Sequence, residues 1–318
     1  MPFLYFLEKL RCPLLDAFFS LITHLGEDTA FMAVGMIVFW CVNKYKGYYL
    51  LCVGFFGTVA NQFLKMVCRV PRPWVKDPSF TIVESAREAA SGYSFPSGHT
   101  QTAVGMFGGI ARMTGKRWIR IGAVAIAALV ALSRMYLGVH TPADVLFSVG
   151  FASVLIFVAY PLFQRAERSP RVMYTVLFTF CGIMIAYFCW VMLNRFPEEV
   201  YAVDAAHNLY SARKNAYTLL GCALGVLAVY TADEKWIHFE TKAVWWVQII
   251  KIVGGLSVLL VVKELLRAPL EALLVNPMIA RCVRYFLICV VGGVLWPMSF
   301  RTLAEWGESR RAKRDATK

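Results

Sequence analysis

The sequence has little charge for its length, since only 17% of its 318 residues are Asp, Glu, Lys or Arg, against 58% that are hydrophobic. Four long runs contain no charged residue at all; they are 47–64, 145–163, 172–194 and 215–232. Each approaches or exceeds the roughly 18 apolar residues that a membrane-spanning helix needs. A soluble domain has no use for four such runs, so the composition excludes that class and predicts a bilayer environment.

Other common patterns are also missing from the sequence. The nine cysteines form no CxxC pair and no metal-ligand spacing, and most lie inside apolar runs, so we expect them to act as small hydrophobic residues. The C-terminal half has no Gly/Ser-rich linker, repeat or low-complexity tract. At the N-terminus, Glu8, Lys9 and Arg11 interrupt the apolar pattern before a signal-peptide core can form. We therefore expect no cleaved leader.

The charge that is present is mostly basic, with 33 Lys and Arg against 20 Asp and Glu, for a net charge of +13. Such a balance can indicate nucleic-acid binding, but these basic residues fall between the hydrophobic runs and in the C-terminal tail. The positive-inside rule explains that distribution better, and we expect no nucleic-acid partner. The clusters that we place on the cytoplasmic side are Lys44 and Lys46, Lys116 to Arg120, Arg165 to Arg171, and Arg310 to Arg314.

The hydrophobic pattern predicts an all-α integral membrane protein. Residues 3–21 mix apolar and charged residues at helical spacing, which favours an amphipathic helix on the membrane surface, although a short span is possible. The expected spans are 28–43, 47–66, 98–114, 118–137, 142–163 and 172–194, followed by 215–232, 244–263 and 280–300. This threading places the loop 67–97 and the turn 138–141 on the outer side.

The first segment of chemical interest is Lys65 followed by Arg72 and Pro73. Pro71 and Pro73 end the preceding helix, so Arg72 emerges just beyond it. Two cations at that position can hold one anion. The alternative is that both side chains only snorkel to the interface, as long basic side chains at helix ends commonly do.

The second segment is Phe95-Pro96-Ser97-Gly98-His99, immediately before an apolar helix. Ser97 is a favourable N-cap, and Gly98 allows an anion to approach the exposed backbone N–H groups at the helix N-terminus. This arrangement predicts a phosphate cradle with an imidazole beside it. The alternative is an ordinary capped helix in which His99 is an interfacial residue.

The third segment is Ser133-Arg134, then His140, then Thr141-Pro142-Ala143-Asp144 at the start of another span. Thr141 as N-cap and Pro142 at the first helical position place Asp144 one turn from His140. A carboxylate on one ring nitrogen leaves the other nitrogen as a nucleophile. Asp144 can also complete a capping box with Thr141, and the two roles are compatible.

Together the segments KMVCRVPRP, FPSGH and SRMYLGVH resemble the signature of the type 2 phosphatidic acid phosphatase superfamily, which includes vanadium haloperoxidases and glucose-6-phosphatase. The resemblance is complete at every motif position between about residues 60 and 150. It implies a six-helix phosphatase core and in-line phosphoryl transfer, which needs charge neutralisation, a nucleophile and an acid for the leaving group.

The resemblance also implies a role for each matching residue. His140 attacks phosphorus, Asp144 orients and stabilises it, and His99 protonates the departing oxygen. The phosphoryl oxygens are held by Lys65, Arg72, Arg134, the Ser97 hydroxyl and the Gly98 N–H. Water then hydrolyses the phosphohistidine, with no metal and no other cofactor required.

The chain departs from many relatives at its C-terminal end, where about three or four additional transmembrane helices follow the core. The sequence therefore predicts a phosphatase core with its amphipathic helix over 1–165 and further helices of unassigned role over 166–318. Within this second region, Lys251 lies inside an expected span. It is a functional candidate, but we expect it to snorkel to the interface.

The function that these patterns favour is hydrolysis of a membrane lipid phosphate or diphosphate of the undecaprenyl diphosphate, phosphatidylglycerol phosphate or phosphatidate class. Two alternatives stay open. One is a lipid phosphotransferase with an acceptor other than water, and the other is a transporter or scramblase with a coupled phosphatase unit. The motif context and the loop charges favour a multi-pass protein of a bacterial plasma membrane with its site on the extracytoplasmic face. The oligomeric state stays open.

Overall fold

The computed structural model describes residues 1–87, 90, 92–196 and 203–316, and within these ranges the chain is built of helices without a β-strand. The expected all-α architecture is confirmed. In chain order the α-helices are α1 Pro2–Lys9, α2 Pro13–Thr23, α3 Asp28–Cys41, α4 Lys44–Cys68, α5 Pro73–Lys76, α6 Gly98–Ala103, α7 Gly109–Met113, α8 Arg117–Tyr136, α9 Pro142–Ala166, α10 Pro170–Leu193, α11 Val203–Ala232, α12 Trp245–Leu265, α13 Arg267–Leu274, α14 Pro277–Val290, α15 Trp296–Met298 and α16 Phe300–Ala316.

Six of the described helical segments are long and apolar enough to cross a membrane, or seven if one bent pair is counted as a single span. The bent pair joins Pro13–Gly26 to Asp28–Cys41 at 52°. The expected span 28–43 belongs to the bent pair, and two further expected spans are helical but are neither among the six nor part of that pair. One is 98–113, where a π-helical turn over Val104–Gly108 joins α6 to α7, and the other is α12.

The N-terminal region differs from the single amphipathic helix expected over 3–21. It forms two helices, α1 and α2, which are separated at residues 10–12. Pro13 explains the break, because proline lacks an N–H to continue the helix and disfavours helical backbone in the residue before it. Cys12 accordingly has extended backbone geometry, and Pro13 begins α2 at its first position.

The chain divides into two compact units that interleave along the sequence. Unit 1 consists of Met1–Val34, Tyr49–Pro161 and Leu193–Ala212, and unit 2 consists of Gly35–Tyr48, Leu162–Met192 and Arg213–Lys318. The division expected at about residue 165 stays a prediction about function. By compactness alone, α3, α4, α9 and α11 each contribute residues to both units.

Unit 1 is anchored where α2 meets the end of α8. The ring of Phe19 packs on that of Tyr136 at 4.3 Å between centroids, and the Tyr136 hydroxyl donates to Oδ1 of Asp16 at 2.8 Å. Arg11 donates from Nε to the Tyr136 carbonyl at 3.1 Å. A glycine is required at Gly26, since a Cβ there would lie 2.8 Å from the His99 carbonyl oxygen. These contacts hold the turn before α3 against α6 and α8.

In unit 2, tryptophan side chains pack closely against glycines of neighbouring helices. Trp40 donates from Nε1 to the Gly292 carbonyl at 2.8 Å, and a Cβ at Gly255 would lie 2.6 Å from both the Trp296 and Trp40 rings. Lys251 does not reach solvent, contrary to the expected snorkelling: it is 0% exposed.

Candidate active site

Arg72 lies at the centre of a polar cluster in unit 1, which also contains Lys65, Ser97, His99, Arg134, His140 and Asp144. Its Nη1 donates to the carbonyl of Val139 at 2.8 Å and to Nε2 of His140 at 2.9 Å, while its Nε donates to the carbonyl of Gly92 at 2.9 Å. The side chain is only 5% exposed. Arg72 immediately precedes α5, and Pro73 begins that helix. The guanidinium therefore joins the loop before α6 to the turn between α8 and α9.

His140 and Asp144 are held in position by hydrogen bonds within the turn between α8 and α9. The Thr141 N–H donates to Oδ2 of Asp144 at 2.7 Å, and the Asp144 N–H donates to Oγ1 of Thr141 at 3.3 Å. This is the reciprocal pattern of a capping box, with Pro142 as the first helical residue. The same Oδ2 lies 3.5 Å from Nδ1 of His140. Asp144 therefore caps α9 and also faces the imidazole.

The two nitrogens of His140 have different surroundings. Nε2 accepts from Arg72, which can only donate, so the neutral ring carries its proton on Nδ1, toward Asp144. Burial, reinforced by the positive charges of Arg72, Arg134 and Lys65, lowers the pKa of His140 well below its ordinary value. The imidazole is therefore neutral at physiological pH, with the Nε2 lone pair directed toward the guanidinium.

Arg134 supplies a second guanidinium from the last turn of α8. It is 1% exposed, and its Nη1 donates to Oγ1 of Thr23 at 2.6 Å. Its Nε has no hydrogen-bond partner among the described residues. The Arg134 carbonyl accepts from the N–H groups of Val139 and His140, both at 3.2 Å. One residue thus closes the turn with its backbone and directs a cation into unit 1 with its side chain.

Ser97, Gly98 and His99 begin the helical segment 98–113, as the sequence predicts. Ser97 is the N-cap of α6, is fully buried and bonds through Oγ to Oγ1 of Thr100 at 2.9 Å. Its N–H donates to the Asp144 carbonyl at 3.3 Å, which brings the second and third segments together. Within the described part of the chain, Nε2 of His99 is buried and has no hydrogen-bond partner.

Lys65 lies in the last turn of α4 and is half-buried. It is close enough to Arg72 and Arg134 to be repelled by both, and close enough to Asp144 to be attracted. Three cations thus lie close together, with the buried carboxylate of Asp144 near two of them, Lys65 and Arg72. Like charges held together in a buried place are costly unless an anion joins them, so the cluster is suited to bind a phosphate group.

Three residues of the cluster were not singled out in the sequence. Ser94 donates from Oγ to Oδ2 of Asp144 at 2.6 Å, and Thr23 accepts from Arg134. Asn61 donates from Nδ2 to the Pro96 carbonyl at 3.2 Å, and its Oδ1 is the atom nearest to a Cβ built on Gly98, at 3.7 Å. Only Asn61 has a sequence signal, since it precedes Lys65 by one helical turn on the same face.

Comparison with known families agrees with this geometry. Residues 45–168 match the PAP2 superfamily, and residues 217–308 match the transmembrane extension of PAP2 superfamily phosphatases. The first match contains all eight predicted site residues, and the second lies wholly within unit 2. The two matches together cover about two thirds of the chain.

Several curated proteins are similar to this chain over part of their length. Human sphingosine-1-phosphate phosphatase 2 is 25% identical over 65% of this chain and 50% of its own length. Phosphatidylglycerophosphatase B of Bacillus subtilis (strain 168) is 28% identical over 50% of this chain and 80% of its own length. Undecaprenyl-diphosphatase BcrC of the same organism is 34% identical over 34% of this chain and 52% of its own length.

The chain thus spans about half the length of the human relative and of the undecaprenyl-diphosphatase. No solved structure matches the chain significantly. The motifs, their convergence in unit 1 and the two family matches lead to one conclusion. This multi-pass membrane chain belongs to the PAP2 superfamily.

Proposed function

We propose that the chain is a membrane-bound lipid phosphatase that transfers the phosphoryl group of its substrate to Nε2 of His140 and then to water. The observation that carries this proposal is the orientation of His140. Its Nε2 faces Arg72 at 2.9 Å, and its Nδ1 faces Asp144. A phosphoryl oxygen bound to the same guanidinium brings phosphorus next to the Nε2 lone pair.

The cationic groups of the cluster hold the substrate. Arg72, Arg134 and Lys65 neutralise the phosphoryl oxygens, and the N–H groups at the start of α6 add a favourable helix N-terminus. Because these groups are already oriented and mostly buried, they stabilise the charge that spreads over the phosphoryl oxygens in the transition state. The Ser97 hydroxyl is the neutral donor of this set.

The first chemical step forms the bond from Nε2 of His140 to phosphorus and breaks the bond from phosphorus to the leaving oxygen. His99 gives a proton to that oxygen. The imidazole of His140 becomes positively charged as it is phosphorylated, and Asp144 stabilises that charge through Nδ1–H. Ser94 and the Thr141 N–H keep the carboxylate in place.

The second step returns the enzyme to its starting state. Water attacks phosphorus, and His99 takes a proton from that water. The bond between Nε2 and phosphorus breaks, which releases inorganic phosphate and neutral His140. The proton that His99 gave in the first step is thereby restored.

The substrate is proposed from the relatives and from the membrane setting. The relatives are named for sphingosine 1-phosphate, phosphatidylglycerophosphate, undecaprenyl diphosphate and lipid A. All of these join a phosphate to a molecule with long hydrocarbon chains. A site at the end of membrane helices meets such head groups by lateral diffusion. We propose a lipid phosphate or diphosphate of this kind as the substrate.

The distribution of charge along α8 supports a proposal for the side of the membrane that the site faces. Lys116, Arg117 and Arg120 lie at one end of the 20-residue helix α8, and Arg134 lies near the other end, about 20 Å away or more. The positive-inside rule places the basic end in the cytoplasm. We therefore propose that the site faces the extracytoplasmic side, and we expect this membrane to be a bacterial plasma membrane.

The test is phosphate release by the purified chain in detergent with EDTA present. The panel contains undecaprenyl diphosphate, phosphatidylglycerol phosphate, phosphatidate, sphingosine 1-phosphate and a soluble sugar phosphate. We expect release from at least one lipid, loss of that release in His140→Asn, and retention in the matched control His238→Asn. Asparagine suits position 238 because His238 has φ 48, a conformation that asparagine tolerates.

Two further readouts separate the proposal from its alternatives. Vanadate should inhibit, because it resembles the five-coordinate transition state. Radiolabelled phosphate that appears on an added lipid acceptor instead of in solution would show a phosphotransferase. Near-normal hydrolysis by His140→Asn would show that the phosphohistidine mechanism is wrong.

A further inference from the structure

A groove of about 700 Å³ runs along unit 1 between the segment 104–112, α8 and α9. It is lined almost entirely by apolar side chains. Clefts of roughly 300–1,000 Å³ are the size that holds a single small ligand or one chain of a larger ligand. The groove is distinct from the polar cluster, since His140, His99 and Arg72 do not line it.

Small residues create the groove. Gly108 and Ala111 form part of one wall, and Ala127, Ala128 and Ala131 form part of the wall that α8 provides. These α8 positions follow helical spacing, so they share one face of that helix. A leucine at any of them would extend into the space that these residues leave. Small side chains alone do not identify a ligand. The residues at the two ends of the groove indicate which kind of ligand it can hold.

One end of the groove adjoins the active site. Met135 and Val145 line it, and they directly follow Arg134 and Asp144 in the chain. From Val145 the lining continues along α9 to Phe157. At 1.5 Å per residue this path is about 18 Å long, which is more than half the thickness of a hydrocarbon core. The groove thus leads from the phosphate site toward the opposite membrane face.

The other end is lined by two arginines that already have partners. The Arg112 guanidinium lies over the Tyr160 ring at 4.5 Å and over the Phe157 ring at 5.7 Å. Arg120 donates to the carbonyls of Ala111 at 3.3 Å and Thr114 at 3.1 Å. The space between the active site and these charges is therefore suited to a hydrocarbon chain, and not to a polar head group.

We propose that this groove binds one hydrocarbon chain of the lipid substrate while its phosphate lies at His140. This inference rests on the proposed phosphatase function and names the part of the substrate that the chain recognises. Because the surrounding bilayer is as apolar as the groove, chain binding supplies alignment of the phosphate and not a hydrophobic driving force. Substrates with longer chains are therefore turned over with better geometry than short ones.

The experiment compares two substitutions on α8. Ala128 lines the groove and Ala125 does not, yet both side chains are exposed and three residues apart on the same helix. Ala128→Phe fills the groove, and Ala125→Phe is the matched control. For each variant and the wild type, kcat/KM is measured for hexadecyl phosphate and butyl phosphate in mixed micelles of fixed composition.

We expect the ratio of the two kcat/KM values, long chain over short chain, to fall about 10-fold in Ala128→Phe because a displaced chain misaligns its phosphate. The ratio should be unchanged in Ala125→Phe. Ala128→Met, which fills the groove less, should give an intermediate ratio. Since a ratio is measured, a partial loss of folded protein does not affect the result.

Two outcomes would overturn the proposal. If the wild type hydrolyses lipid phosphates but Ala128→Phe and Ala125→Phe have equal ratios, the groove does not hold the substrate chain, and the phosphatase function stands. Equal loss of both substrates in Ala128→Phe leads to the same conclusion and would indicate a structural lipid in the groove. A wild type that releases no phosphate from any ester would remove both the function and this inference.

Discussion

Basic side chains have different kinds of partner in the interiors of the two units. In unit 2, Lys44 donates from Nζ to Oδ2 of Asp233 at 2.5 Å and lies 5.1 Å from the Phe239 ring centroid. In the same unit, Lys251 donates to the carbonyls of Thr241 at 3.2 Å and Glu240 at 3.4 Å. These two lysines have partners that suit a cation.

In unit 1, by contrast, Lys65, Arg72 and Arg134 are close to one another; Asp144 attracts Lys65 and Arg72 from a distance, and Glu27 attracts Arg134. Nε of Arg134 and Nε2 of His99 have no hydrogen-bond partner in the described residues. Burial of a charge therefore does not by itself indicate a functional site. Unit 1 is suited to bind an anion because its three clustered cations repel one another and outnumber the two carboxylates that attract them in the described part of the chain, whereas the lysine contacts of unit 2 stabilise the fold.

The largest expected effect is that of Asp144→Asn on catalysis. Its amide cannot stabilise the positive ring of a phosphorylated His140, so kcat should fall about 1,000-fold while the variant stays folded. Initial rates on the best lipid substrate measure the change. The matched control is Asp77→Asn, which alters a partly exposed loop carboxylate of unit 1 that accepts from Tyr5, and its activity should stay within about 2-fold of the wild type. Equal losses in both variants would contradict the role of Asp144.

Unit 2 should respond in stability and not in chemistry. Asp233→Asn leaves the partly buried Lys44 ammonium, whose side chain is 23% exposed, without its buried carboxylate, which should cost about 2 kcal/mol of unfolding free energy. The midpoint of thermal unfolding in detergent should fall, and kcat per folded molecule should not. Glu264→Gln, at a carboxylate that is 68% exposed, is the control and should change neither quantity. A fall in kcat at unchanged stability would place Asp233 in the catalytic machinery.

Thr23 offers a smaller test within unit 1. Thr23→Val keeps the shape of the side chain but removes the acceptor of Arg134, so the guanidinium loses its orientation. We expect kcat/KM to fall about 10-fold and vanadate inhibition to weaken by a similar factor. Thr23→Ser retains the hydroxyl and should restore both. A purely structural role would leave the vanadate inhibition constant unchanged in the folded fraction.

The last prediction is that the His140 imidazole does not titrate near the ordinary pKa of histidine. Because burial and nearby cations lower the pKa of His140 well below 6.5, its ring should stay neutral as the pH falls from 8 to 6. Nitrogen NMR of histidine-labelled protein in micelles measures this, with His140→Asn used to assign the signal. A midpoint near 6.5 for that signal would show that the ring is more hydrated or closer to a carboxylate than the structure indicates.

The sequence predicted the helical fold and the identities of the site residues because both depend on local pattern. Long runs without charge indicate membrane helices, and the spacing of Thr141, Pro142 and Asp144 determines a capping box wherever that helix lies. The structure contains that box. The roles of Lys65, Arg72, Ser97, Gly98, His99, Arg134, His140 and Asp144 stay predictions until the variants are measured.

Other features could not be read from the sequence. Ser94 and Thr23 are ordinary polar residues in their local sequence, and only long-range packing brings them to Asp144 and Arg134. The groove is equally nonlocal, since α7, α8 and α9 must pack before alanines on different helices can leave a common space. The division of the N-terminal helix at Pro13, in contrast, has a local cause that the predicted helix over 3–21 did not take into account.

The sequence alone was enough to predict that the chain lies in a membrane, that α9 begins at Thr141 and Pro142, and which side chains match the phosphatase signature. The packing of the helices was needed to show that Arg72, 68 residues away in the chain, donates to Nε2 of His140 and so determines which ring nitrogen carries the proton. The two kinds of feature differ in how far apart in the sequence the interacting residues lie. Helix formation and capping involve residues within about four positions of each other, whereas a hydrogen bond between distant segments depends on how the packed helices bring them together.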